Sequence, residues 1–266
     1  MKYILAFFFL ITLTVFGQVS PPGLGGGDAA TWFALGLRQD INAKQNTESM
    51  TYLGIGAKTE DHNNRYLNKP AIFVLNQEFF HEINKNIDLS YALSYRRQME
   101  YDYNEINHPI HTTIQQEFRI YGRIAYTFKI GNVKFKQTAR QEFRRFFDQN
   151  FKNTPEPFQL RSRLKSQVSF YLDHPNRHKL TAGAEALFSN SQSQKNNDWT
   201  GFKYKEARFT FFYTYTPQNT PLAFSLGYMN NLIEKNTTHS VHYTSLDIVW
   251  ENPLKIFDQK KPKQLD

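Results

Sequence analysis

The sequence predicts an all-β protein, a single antiparallel transmembrane β-barrel of about 10–12 strands, and three observations predict it. Apolar residues recur at a period of two through successive segments. Short turns alternate with longer polar loops between those segments. The polar face of the segments carries charges of both signs on neighbouring strands. Composition agrees. The chain has 266 residues, no cysteine, and 16% aromatic residues with 24 Phe and 15 Tyr. The aromatic load excludes a disordered chain, and a mean hydropathy of -0.61 excludes a bundle of membrane helices. Without cysteine there is no disulfide framework, no thiolate metal site and no cysteine nucleophile.

The first element is a signal peptide over residues 1–17. Lys2 supplies the positive end, Ile4 to Phe16 the apolar stretch, and Val15-Phe16-Gly17 a small-residue cleavage site before Gln18. A run of about 13 apolar positions interrupted by Thr12 and Thr14 is too short for a membrane helix, which needs roughly 20. Cleavage removes one positive charge, leaving 31 Lys+Arg against 24 Asp+Glu, or +7, from the 32 and 24 of the whole chain.

Residues 18–250 form the barrel. Weak alternation over 31–41, 48–58 and 70–83 precedes the clearest strand, where Ile87, Leu89, Tyr91, Leu93 and Tyr95 oppose Asp88, Ser90, Ala92, Ser94 and Arg96. Segment 115–130 repeats this at greater length, and at about 3.3 Å per residue it far exceeds an ordinary globular strand. The pattern continues at 133–147, 158–172, 179–189, 202–216, 221–230 and 239–250. Short turns follow the odd-numbered segments, and longer loops lie near 59–69, 100–111, 148–157, 190–199 and 231–238. This makes eleven segments, whereas an antiparallel barrel with both ends on one side takes an even number. Either the glycine-rich stretch 19–28 adds a twelfth strand, or a weak early segment lies in the lumen and leaves ten. Residues 251–266, with Lys255, Lys260, Lys261 and Lys263, read as a basic C-terminal tail.

The charges separate a membrane barrel from a secreted two-layer β protein. Glu117, Arg119 and Arg123, then Arg140, Glu142 and Arg144, then Arg161 and Arg163, then Glu185, then Glu206 and Arg208 share one face on their respective strands. Such a set fits a polar lumen, where it pairs across strands. The opposite face stays apolar and ends in aromatic positions such as Tyr95, Tyr126, Phe143, Phe158, Tyr213, Tyr215 and Tyr228, suited to interfacial girdles.

Several stretches carry a family resemblance: Trp32-Phe33-Ala34-Leu35-Gly36-Leu37-Arg38-Gln39, Lys69 to Phe79, Tyr95-Arg96-Arg97-Gln98, Gln116 to Tyr121, Arg140-Gln141-Glu142-Phe143-Arg144 and Asp247 to Pro253. Over about residues 19–254 the chain resembles the uncharacterised DUF2490 family, found mostly in Bacteroidota. The resemblance implies an outer-membrane β-barrel and carries no activity and no catalytic residues.

No catalytic constellation emerges, so the expectation is a non-enzyme without cofactor or metal. There is no HExxH, Walker or GxSxG sequence. His239, Ser240 and His242 form the one superficial Ser/His grouping. His108, His111, His174 and His178 flank proline-containing connections and read as turn or rim residues. The basic surplus is dispersed along strands rather than gathered in a stripe, which argues against nucleic acid and for lipid or lipopolysaccharide phosphates as partners. The expectation is a monomer in the outer membrane of a Gram-negative bacterium. Its role is that of a structural barrel or one that binds an envelope protein. The alternatives are a small anion-preferring pore and a lipid-modifying enzyme.

Overall fold

The computed structural model describes residues 21–23, 28–42, 46–59, 69–103, 109–173, 176–234 and 239–254. The signal-peptide reading over 1–17 and the tail beyond Leu254 lie outside them. Eleven strands make up the described fold: β1 (Ala29–Asn42), β2 (Thr47–Lys58), β3 (Lys69–Asn84), β4 (Ile87–Tyr103), β5 (Pro109–Ile130), β6 (Val133–Phe147), β7 (Asn153–Tyr171), β8 (His178–Gln192), β9 (Lys203–Tyr215), β10 (Leu222–Ile233) and β11 (His239–Glu251). Each pairs antiparallel with its sequence neighbour, and β1 pairs with β11 to close the ring.

The expectation of ten or twelve strands is corrected by this seam. With eleven strands running alternately up and down, β1 and β11 point the same way, so they pair parallel, from Ala29 opposite His242 to Arg38 opposite Glu251. Even numbers are required only when every pair is antiparallel. The three weak early segments are β1, β2 and β3, all in the wall. The seam is pinned beyond the ladder, where Asn252 N donates to Arg38 O at 2.7 Å and Asp40 N donates to Asn252 Oδ1 at 2.8 Å.

Parallel closure also fixes the ends. β1 begins, and β11 ends, at opposite rims. The β3–β4 and β5–β6 turns belong to the rim where β11 ends. Asn84 Oδ1 accepts from the amides of Asn86 and Ile87, and Gly131 supplies a positive φ of 57°. The opposite rim is where β2 gives way to β3 and β8 to β9, and it is where β1 starts.

Strands run further toward that second rim than the sequence pattern indicates. β7 begins at Asn153, although Pro155 and Pro157 read as loop. The register between β6 and β7 breaks between Arg145 and Phe147, so the prolines fall where the ladder asks for no amide donor.

Candidate functional site: the barrel interior

Alternation on each strand sends one set of side chains into the ring and the other outward. The outward set is mostly apolar, its polar members on β6 and β7 being hydrogen-bonded to one another as Ser162 to Gln141 and Ser166 to Gln137. Leu93, Ile120, Ile124, Leu164, Phe209, Leu226 and Leu246 all stand exposed on the outer face. Of the aromatic positions, Tyr95 stacks near Phe118, Phe143 near Phe158, and Tyr213 and Tyr215 against His178.

Inside, two networks of charge lie against the β3–β10 wall. In the larger, Glu117 receives Arg144 Nη2 at 2.7 Å and Arg119 Nη2 at 2.7 Å. Glu142, fully buried, collects three guanidinium groups, Arg140 at 2.7 Å, Arg163 at 3.1 Å and Arg119 at 3.5 Å. Arg163 reaches on to Glu185 at 2.7 Å, and Glu185 meets Arg208 at 3.9 Å. Glu206 takes Arg208 at 2.7 Å and, from two strands away, Arg161 at 3.6 Å. Every carboxylate thus serves at least two arginines. A buried carboxylate deprived of its partners costs several kcal/mol, and shared pairing removes that penalty for all four.

The second network centres on Glu78 of β3, which the sequence reading did not single out. It accepts from Ser90 Oγ at 2.6 Å and Tyr121 Oη at 2.8 Å, and Arg123 lies 3.2 Å away across β4. The Arg140 guanidinium sits 3.4 Å from the Tyr121 ring centroid and ties the two networks together. Glu78 was concealed because it is the one buried charge on an inner face of β3 otherwise made of Ile72, Val74 and Asn76. Arg96 is buried as well and bonds Gln98 on its own strand. With Glu78 and Arg96 added to the eleven sequence candidates, this set of thirteen comprises eight arginines and five glutamates.

The seam side of the interior carries an apolar cluster beside a third ion-pair group, in which Arg38 of β1 meets Glu48 of β2 at 3.1 Å and Glu251 of β11 at 3.9 Å. Trp32, Met50, Ile72, Val74, Met229, Val241, Tyr243 and Val249 pack together from β1–β3 and β10–β11. Glycine permits the closest contacts. The Trp32 indole occupies the place a Cβ would take at Gly54, and the Phe212 ring does the same at Gly227. Within this half lies Asp247, 2% exposed, with neither carboxylate oxygen hydrogen-bonded.

Of the Ser/His grouping, Ser240 and His242 lie on the outer face of β11, and His239 falls on the face of Val241 and Tyr243. His242 Nδ1 pairs with Tyr228 Oη at 2.7 Å, and Ser240 Oγ accepts from Asn230 Nδ2 at 2.7 Å. No hydrogen bond joins Ser240 to His242, so the contact through which a base activates a nucleophile is missing. Among the described residues no group of three or more His, Cys, Asp or Glu side chains is placed to hold a metal ion. His108 and His174 lie outside the described residues, as does the side chain of His111.

A family model described as "Protein of unknown function (DUF2490)" matches residues 29–242, which covers the barrel from the start of β1 into β11. The chain belongs to the DUF2490 family. No curated protein matches it. The DUF2490 match includes all eleven sequence-nominated charges, Glu78, Arg96 and the apolar half up to Val241, but stops before Tyr243 and Asp247.

Proposed function

We propose that this DUF2490 protein is an outer-membrane barrel of a Gram-negative bacterium, exported with a cleaved signal peptide. Its Arg/Glu network braces and closes the lumen, and it serves as a structural or partner-binding envelope protein rather than an enzyme. One observation carries the membrane reading. A closed ring with its charges inside leaves an apolar outer surface, with Ile120 61%, Leu226 58%, Leu93 57% and Leu164 57% exposed. A monomer in water rarely bears an apolar surface of that extent, whereas lipid covers it without cost. Arg145 and Lys152 near the second rim suit lipopolysaccharide phosphates, Arg145 being stacked on Phe158 at 4.0 Å.

Closure is supported by side chains that fill one half of the interior and by ion pairs that link the strands of the other. The test is fractionation of the expressed protein with a gel of heated and unheated samples. Recovery with outer membranes and faster migration when unheated are expected. Recovery as a soluble periplasmic protein contradicts the reading. A second reading, a narrow anion-preferring pore, draws on the surplus of arginine over glutamate along the inner wall.

A further inference from the structure

The parallel seam starts β1 at the rim opposite the end of β11, and residues 21–23 lie inside the barrel. Pro21 is fully buried. The Gly23 carbonyl oxygen accepts a hydrogen bond from Arg96 Nη2 on β4 at 2.7 Å. A Cβ placed on Gly23 would lie 2.8 Å from Arg208 Nη2 and 3.2 Å from Glu206 Oε2 on β9, and 3.4 Å from Asn231 Nδ2 on β10. In the ring of eleven, β4 and β9 stand on opposite walls, five strands apart one way and six the other. One glycine therefore touches both sides of the lumen.

We propose that residues 21–23 are a plug, and that its withdrawal opens an anion-selective path through the barrel. The proposal rests on the membrane reading above and adds a moving part to it. The wall is held by a continuous backbone ladder, whereas among the described residues the plug's one side-chain hydrogen bond to the wall is that from Arg96. Its chemistry also explains what replaces it. The peptide offers a neutral carbonyl dipole to a guanidinium that, among the described residues, has no carboxylate within ion-pair distance. Arg208 borders the same space from the far wall. Emptied of the peptide, the space is faced by the Arg96 guanidinium and by Arg208 with its paired Glu206, a net positive lining within an interior already richer in arginine than in glutamate, so a small carboxylate or phosphate is the solute it attracts. A Cβ at position 23 would meet the Arg208 guanidinium at 2.8 Å, so a side chain there must displace the end of Arg208 or the peptide itself.

The test is planar-bilayer recording of the unmutated protein beside a full-length form lacking only residues 21–26, each first checked for heat-modifiable migration. The unmutated protein is expected to show no steps, and the deleted form stable anion-selective steps. Gly23→Leu, which keeps chain length and crowds the plug off Arg208, is expected to behave as the deletion does, and it takes over the test if the deleted form does not fold. Silence from a folded variant overturns the plug and leaves the side chains alone as the closure. Equal conductance with and without the plug also overturns it, and cation selectivity overturns the role given to Arg96 and Arg208. Loss of the heat-dependent shift in the unmutated protein strikes the membrane reading instead.

Discussion

The two halves of the barrel interior solve the same problem by different chemistry. From β4 to β9 the wall is joined by ion pairs in which Glu117, Glu142, Glu185 and Glu206 each hold two or three arginines. Around the seam, β1–β3 and β10–β11 fill their side with Trp32, Met50, Met229 and Tyr243. The apolar half gains from burial and close packing, whereas the charged half must repay the desolvation of every ion through pairing. The difference teaches where each half is brittle. Charged positions fail when a partner is removed, and apolar ones fail when volume is removed. The division is not complete, for Arg38 pairs with Glu48 and Glu251 across β1, β2 and β11, and Asp247 is a carboxylate in the apolar half with no ion pair among the described residues.

Four substitutions sharpen or break that contrast. The largest effect belongs to Glu142→Ala, which orphans Arg119, Arg140 and Arg163 together and should cost about 5 kcal/mol of unfolding free energy in lipid or detergent. A loss below about 1 kcal/mol would mean that water, not pairing, solvates those arginines. Trp32→Ala leaves a void over Gly54 and should cost about 4 kcal/mol by the same denaturant titration. An unchanged midpoint would show that the apolar half is not packed as described. On the outer face, Ile120→Arg should cost about 2–4 kcal/mol in lipid if the residue sits near mid-membrane, and far less if it faces water. Smallest is Asp247→Asn, where a shift under about 1 kcal/mol in the stabilising direction is expected, since the change removes a charge that no partner offsets. Marked destabilisation there would reveal a partner for the carboxylate.

Much of the wall was legible because a period of two is a direct consequence of extended backbone. The split between Ile120 or Ile124 and Arg119 or Arg123 on β5 needs nothing beyond the sequence. The seam was not legible. No residue type marks a parallel pair, and the even-number rule assumes the antiparallel closure that β1 and β11 avoid. Contacts that skip a strand, Arg161 to Glu206 and Arg123 to Glu78, depend on the curvature of the ring, which no local pattern encodes. Glu78 was hidden as a single charge among the uncharged Ile72, Val74 and Asn76 on its own face, and Pro155 and Pro157 disguised the start of β7 because a register break excuses them from the ladder. The glycine-rich N-terminal stretch was ambiguous for a plain reason. Gly23 has no side chain to report its surroundings, and its place is set by Arg96 and Arg208 from distant parts of the chain.

The account stands on which face of the wall meets lipid. The chain contains no cysteine, so single cysteines can be placed at will. Nitroxide labels on Ile120→Cys, Leu93→Cys and Leu226→Cys, in protein reconstituted into vesicles, report collision rates with membrane-soluble oxygen and with a water-soluble nickel chelate. The account predicts that oxygen dominates at all three positions. Dominant collision with the nickel chelate at these positions would place the apolar face in water and contradict it.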